Sequence, residues 1–249
     1  IDSGDELIAA YVNMSAVAAH ASAAAATSSA CAERAVATCA RAVQVARKAA
    51  AAADRALELL GYTEWREGQR QAVTALLLGR DVNAWLATGT GKTVIAMAYA
   101  VARPHLVVIM VTPLINLMRG HVSSVSGRRI AGLTATLLGS AQRDTKEKAA
   151  AANGERSIIF ISPELASSWL LNQPQLIPQI GLLVLDEAHA MWETTSVFRG
   201  KWQFDIPALR TMLQERGNTS PVLSLSATMS ANLRMSHATA LRLVDQVTI

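Results

Sequence analysis

Cysteine is almost absent from this 249-residue chain: Cys31 and Cys39 stand eight apart in an Ala-rich stretch. That spacing matches neither a zinc knuckle nor a disulfide framework, and the reading is two reduced thiols inside a cell. Long apolar runs are missing too. "HLVVIMV" at 105–111 and "IGLLVL" at 180–185 are among the longest, far short of the roughly 18 residues that span a bilayer. No charged segment followed by an apolar core opens the chain, so no secretion signal is read there. The first residue is Ile rather than Met, which is taken as a fragment boundary. The expected location is therefore intracellular, nuclear in a eukaryote and cytoplasmic otherwise, with no membrane partner. Neither sign of charge dominates: 23 basic residues against 19 acidic give +4, an excess that permits a polyanionic partner without requiring one. His20, His105, His121 and His237 make no metal-ligand spacing, and the methionines are scattered as core filler.

What is present is apolar content of 51%, enough for a sizeable core in one large domain or two small ones. Residues 1–56 read as an Ala-rich, low-complexity helical arm, Ala being the best helix former. Its thin apolar stripe of Val36, Cys39, Val43 and Ala46 is expected to bury little; docking or self-association through this helix is the alternative. From 57 to 249 short apolar runs alternate with helix-like segments, the pattern of a mostly parallel α/β sheet with helices on both faces. Strands are expected at 82–86, 106–111, 133–136, 157–161, 181–185 and 222–225, and helices at 69–78, 92–102, 114–124, 141–152 and 206–215. Runs as continuously apolar as "LVVIMV" imply burial on both sheet faces. Ligands of such sheets lie beyond the carboxyl ends of the strands.

Two stretches at such ends carry chemistry. "LATGTGKT" at 86–93 follows a strand and opens a helix, although Leu86 stands where the strict phosphate-loop pattern has Gly. Thr88, Gly89, Thr90 and Gly91 form the loop, whose glycines let backbone N–H groups face a polyphosphate. Lys92 reaches its β and γ phosphates and Thr93 can hold Mg2+. "LLVLDEAHA" ends a strand in Asp186-Glu187, two adjacent carboxylates that are costly there unless a cation or a reaction uses them. Asp186 can hold Mg2+ and Glu187 can deprotonate the attacking water of nucleotide hydrolysis.

Together with "LSLSATMS" at 223–230, these stretches resemble the first, RecA-like motor domain of superfamily 2 helicases. The RecQ family is singled out by "GYTEWREGQRQAV" at 61–73, "VTPLINLMRGHV" at 111–122, "AGLTATLLGSAQ" at 131–142 and "IIFISPELA" at 158–166. The resemblance implies ATP and Mg2+ as cofactors, with Tyr62 stacking on adenine and Arg66 and Gln69 recognising or supporting the nucleotide. It gives His189, Ser226, Ala227 and Thr228 a coupling role, and places Pro113 and Asn116 against nucleic acid. In the family's aromatic loop, which senses single-stranded DNA, Phe198, Arg199 and Trp202 match, whereas Thr194 and Ser196 depart from the pattern. Trp192, Phe198 and Trp202 could equally be core anchors, and Tyr62 a packing residue.

The activity implied is the ATP-binding half of an ATP-dependent 3′ to 5′ DNA helicase, acting on single-stranded DNA and duplex junctions. The chain stops about twenty residues after "SAT", so the second RecA-like domain, its arginine finger and a zinc-binding region are expected to be missing from it. The rivals are a truncated, non-catalytic ATP- or DNA-binding or interaction module, and a related superfamily 2 translocase on RNA or chromatin.

Overall fold

A computed structural model describes residues 29–249 apart from 88, 114, 128–129, 131, 140–143 and 193–201, with backbone alone at 29–33 and 115–117. The elements run α1 (Ser29–Leu59), α2 (Gln69–Leu77), β1 (Val82–Trp85), α3 (Lys92–Ala102), β2 (Val107–Val111), α4 (Ile115–Gly127), β3 (Ala135–Leu138), α5 (Thr145–Ala152), β4 (Ile158–Ile161), α6 (Pro163–Leu171), β5 (Ile180–Leu185), α7 (Trp202–Glu215), β6 (Val222–Ser226), α8 (Ala231–Ala240) and β7 (Val247–Thr248). Short 3-10 turns at Ile177–Gln179 and Ala188–Trp192 flank β5.

The strands form one sheet in the order β3-β4-β2-β5-β6-β1-β7, and every pairing is parallel. Alternation within each strand sends side chains to two separate cores. Val108 and Met110 of β2 join Ile158, Phe160, Leu182, Val184, Leu223 and Leu225 on the face covered by α1, α2, α3 and α4. Val107, Ile109 and Val111 join Ile159, Ile161, Leu183 and Leu185 on the face covered by α6 and α7. Burial on both faces is why the runs are continuously apolar rather than alternating. No helix among the described residues is long and apolar enough to cross a membrane.

Three differences from the expected elements have local causes. The strand expected at 133–136 starts later, because Leu133 N–H closes a turn on Ile130 O and Ala135 is the first residue registered with β4. The helix expected from 141 begins at Thr145, where the Asp144 carboxylate accepts from Lys146 and Glu147 N–H, a cap of about 1 kcal/mol. α6, α8 and β7 were not expected; for α6 the signals were present, with Ser162 at the cap, Pro163 in the first turn and Glu164 beside it.

Helix α1 runs unbroken through the expected boundary at 56–57. Of the stripe read from Val36, which is 69% exposed, only Ala46 is buried; the apolar contact runs on from it through Ala50, Ala53, Ala56 and Leu57 to Leu60 just past the helix, all 5% exposed or less. Small side chains at this spacing let α1 approach α2 and α3 closely. Asp54 pins the contact: Arg70 donates to both carboxylate oxygens, at 2.9 and 3.0 Å, and the Trp65 indole donates at 2.9 Å. Those bonds, Arg70's first, hold the Asp54 carboxyl below its ordinary value.

Candidate nucleotide site

The sheet order puts the two chemical stretches on one edge with a third between them. β6 lies between β5 and β1, with Leu185 opposite Ser224 and Trp85 opposite Ser226. The segments leaving β1, β5 and β6 at their carboxyl ends are therefore neighbours, at the point where the chain order reverses across the sheet.

Beyond β1, Gly89 and Gly91 adopt φ of 82° and 79°, a left-handed conformation that costs glycine little and other residues more. Thr90 folds the loop back by donating from its hydroxyl to Ala87 O at 2.7 Å. Lys92 opens α3 and points into its own loop, donating to Leu86 O at 3.1 Å and Ala87 O at 3.3 Å. The ammonium is thus fixed at the loop mouth with a third proton to direct. Thr93, half-buried, follows it. Thr88 lies outside the described residues.

The residues expected to address the nucleotide brace this loop from behind. Gln69 is 2% exposed; its amide N–H groups donate to Thr90 O at 2.9 Å and Gly91 O at 3.0 Å, and its oxygen accepts from Arg66 N–H at 3.0 Å. Arg66 donates to Gly89 O at 2.6 Å. Gln69 therefore braces the loop itself. Tyr62 is half-buried against the first core.

Beyond β5, Asp186 continues the strand by donating its N–H to Val111 O at 2.9 Å. Its side chain is 9% exposed. Burial, reinforced by the adjacent Glu187 charge and opposed by Lys92, pushes its carboxyl up from 3.8 to about 6. A carboxylate so desolvated is a ready ligand for a cation, since the cation removes the cost of the charge. Glu187 sits at φ 51°, a conformation worth of order 1 kcal/mol of strain outside glycine. Ala190 N–H to Glu187 O at 2.8 Å holds it there, and its carboxylate lies beside His189, on the side of β6.

There it meets the coupling residues. Ser226 Oγ donates to Thr228 O at 2.8 Å, so the His189 Nδ1–H donates to Ser226 Oγ at 3.0 Å; the same nitrogen lies 3.3 Å from Glu187 Oε2. Glu187 thus lies against His189, whose hydrogen bond to Ser226 and on to Thr228 forms a relay of contacts from the acid to the turn after β6. Half-buried Ala227 and exposed Thr228 complete that turn.

The DNA-contact expectations divide. Pro113 is half-buried beyond β2; Asn116 lies in α4 with its side chain outside the described atoms. Phe198 and Arg199, like Thr194 and Ser196, lie outside the described residues. Trp202 is corrected: it is 4% exposed, within the second core, and its indole donates to Glu164 at 3.0 Å. It packs as a core anchor, with its indole N–H satisfied by the Glu164 carboxylate at the core's margin.

Sequence reading also passed over His121. It makes no ligand spacing along the chain, yet α4 brings its Nε2 to 3.8 Å from Asp186 Oδ2 and stacks its ring on Phe160 at 5.5 Å. Burial lowers its pKa. A second histidine, His237 of α8, is fully buried and accepts at Nδ1 from the Trp192 indole at 3.4 Å. Its Nε2–H therefore donates to Ser224 Oγ at 2.7 Å, and burial lowers its pKa to about 4.

Comparison with known proteins gives the family and the fold. Residues 66–236 match the model of the DEAD/DEAH box helicase family. The chain is 30% identical over 177 residues to the probable ATP-dependent DNA helicase RecS of Bacillus subtilis, covering 69% of this chain and 33% of that one. It is 31% identical over 193 residues to the mouse bifunctional 3′-5′ exonuclease/ATP-dependent helicase WRN, covering 74% of this chain and 13% of that one. The matches thus span a third or less of those relatives. Among solved structures, the DUF1998 helicase MrfA bound to DNA and AMPPNP superposes with a TM-score of 0.65 at 15% identity, over 80% of this chain and 28% of that one, a likeness of fold.

Proposed function

Because the chain belongs to the DEAD/DEAH box helicase family, with RecQ-type helicases among its relatives, we propose that it binds Mg2+-ATP and forms the ATP-binding half of a 3′ to 5′ DNA helicase acting on single-stranded DNA and duplex junctions. The observation that carries the reading is the convergence of Lys92, Asp186, Glu187 and the His189–Ser226 relay on one sheet edge. Lys92 would hold the terminal phosphates. Thr93 and Asp186 would hold the magnesium ion, which supplies charge neutralisation on the phosphate oxygens when bound. Glu187 accepts the proton of the attacking water, and His189 reports its state to the turn at Thr228. Gln69 and Arg66 keep the loop carbonyls turned away from the phosphates, leaving N–H groups to face them. A second RecA-like domain would close over the nucleotide from the opposite side and supply the stabilising arginine.

The test separates binding from hydrolysis. Lys92→Ala should abolish binding of a fluorescent ATP analogue by the 249-residue chain. Glu187→Gln should leave that affinity within a few-fold. In a protein joined to a second motor domain it should lower phosphate release by about 10²- to 10⁴-fold, the range for loss of a general base. Undiminished phosphate release from the Glu187→Gln protein would remove Glu187 from the reaction.

A further inference from the structure

Arg34, Arg41, Lys48 and Arg55 recur at intervals of seven along α1. Seven residues advance an α-helix by about 10.5 Å and return each side chain to within about 20° of the last. The four therefore form one stripe, about 31 Å long by the same rise. All four are exposed, and none is in an ion pair among the described residues. The carboxylate that could have neutralised the stripe's end, Asp54, is taken by Arg70 and Trp65 across the helix. Glu58, three residues past Arg55, is the acidic neighbour at its C-terminal limit.

The stripe borders the buried Ala face without overlapping it. Lys48 and Arg103 line a groove of about 180 Å³ between α1 and the end of α2, with Val45, Ala49, Ala52, Leu77 and Leu78 and no acidic residue. Beside the charges stand exposed Ala37 and Ala51, side chains short enough to let a backbone approach, and the uncharged Gln44. A second copy of the helix is a poor occupant, because four like charges would face four more.

We propose that this stripe holds the phosphate backbone of duplex DNA, on a surface separate from the nucleotide site. Charge complementarity selects the partner: the duplex is a stiff, straight polyanion carrying one charge per about 1.7 Å, matched to a rigid row of cations about 31 Å long. Contacts of this kind read no sequence and fix position. They would keep the chain on the duplex flanking the strand that the motor handles.

The experiment is anisotropy titration of a fluorescent 20-base-pair duplex across 50 to 200 mM salt. The variant replaces Arg34, Arg41, Lys48 and Arg55 by Gln, which preserves helix propensity. A charge-matched control replaces the exposed Arg47, Lys146, Lys148 and Arg216 by Gln. Each phosphate contact contributes about 0.9 to the slope of log affinity against log salt. The stripe variant should therefore lose about 3.6 from the slope, worth about 10²-fold over that salt range, and the control should lose less than about 1. The double variant Arg41→Gln/Lys48→Gln should lose about 1.8 and covers the case of a misfolded quadruple variant. Equal slopes in the wild type and the double variant overturn the proposal. So does an equal loss in the control, or a larger loss on a single-stranded oligonucleotide than on the duplex. Lys92→Ala serves as the separate arm: it should lose nucleotide and keep the slope, so failure of the ATP reading and failure of the stripe are distinguishable.

Discussion

Two buried titratable groups should bend the stability of this protein in opposite directions with pH. Asp186 rises from 3.8 to about 6 on folding, chiefly through burial. Between those values the native carboxyl holds a proton that the unfolded one releases. Its stabilising contribution is full below 3.8 and is lost as pH rises through 6, a difference of about 3 kcal/mol at 1.36 kcal/mol per unit. His237 falls from 6.5 to about 4, again through burial. Its contribution is full above 6.5 and is lost as pH falls through 4, by about 3 kcal/mol. In the wild type the two nearly cancel between pH 4 and 6.5. Asp186→Asn should expose the histidine and lose about 3 kcal/mol on acidification across that window; His237→Gln should expose the aspartate and gain about as much. Above pH 7, Asp186→Asn should be more stable than wild type by up to about 3 kcal/mol, since it removes a desolvated charge. Urea unfolding at half-unit pH steps reads all three curves. Groups remote from both sites, such as Asp54, titrate in every variant and drop out of the differences. Parallel curves for wild type and Asp186→Asn would refute the reasoning.

Two further outcomes follow from the same geometry. Gln69→Ala removes three hydrogen bonds to the segment 66–91 and should weaken ATP and GTP analogues alike by at least tenfold, since each bond is worth about 1 kcal/mol; a loss confined to the adenine analogue in a competition titration would instead place Gln69 on the base. Trp202→Ala should destabilise the fold by about 3 to 5 kcal/mol, the cost of emptying a buried aromatic site, measured as a shifted urea midpoint. A stable variant with weakened single-stranded DNA binding would restore the DNA-contact role.

The sequence made the sheet readable because its chemistry is local. A phosphate loop needs a strand before it and a helix after it, and "VNAWLATGTGKTV" states all three within one stretch. The acidic pair after β5 is equally self-declaring. What stayed hidden depends on side chains meeting across the sheet. Nothing near Gln69 in the chain shows that its amide will be consumed by Thr90 and Gly91. Spacing along the chain dismissed His121 and His237 because their partners come from β4, β6 and the segment after β5, not from their own helices. Trp202 was ambiguous for the same reason: an aromatic beside a loop motif looks alike whether it faces a base or Glu164, thirty-eight residues away. In α1 the apolar stripe was misplaced because alanine buries or exposes itself with almost equal ease, so composition left the packed face open.

The pairing of β1 also sets a clock on synthesis. The strand that carries the phosphate loop is made before every other strand of the described sheet, yet both of its partners, Val222–Ser226 and Val247–Thr248, are made after all the others. At about 5 to 20 residues per second, β1 waits on the order of 10 to 30 s for β6 while β2, β3, β4 and β5 can already pair with one another. A nascent chain can therefore own a complete phosphate-loop sequence and still have no place to hold a nucleotide. In the last part of that interval, once residue 185 has been made, the exposed edge of β5, with its continuously apolar "IGLLVL", is what a chaperone or a wrong strand would find first.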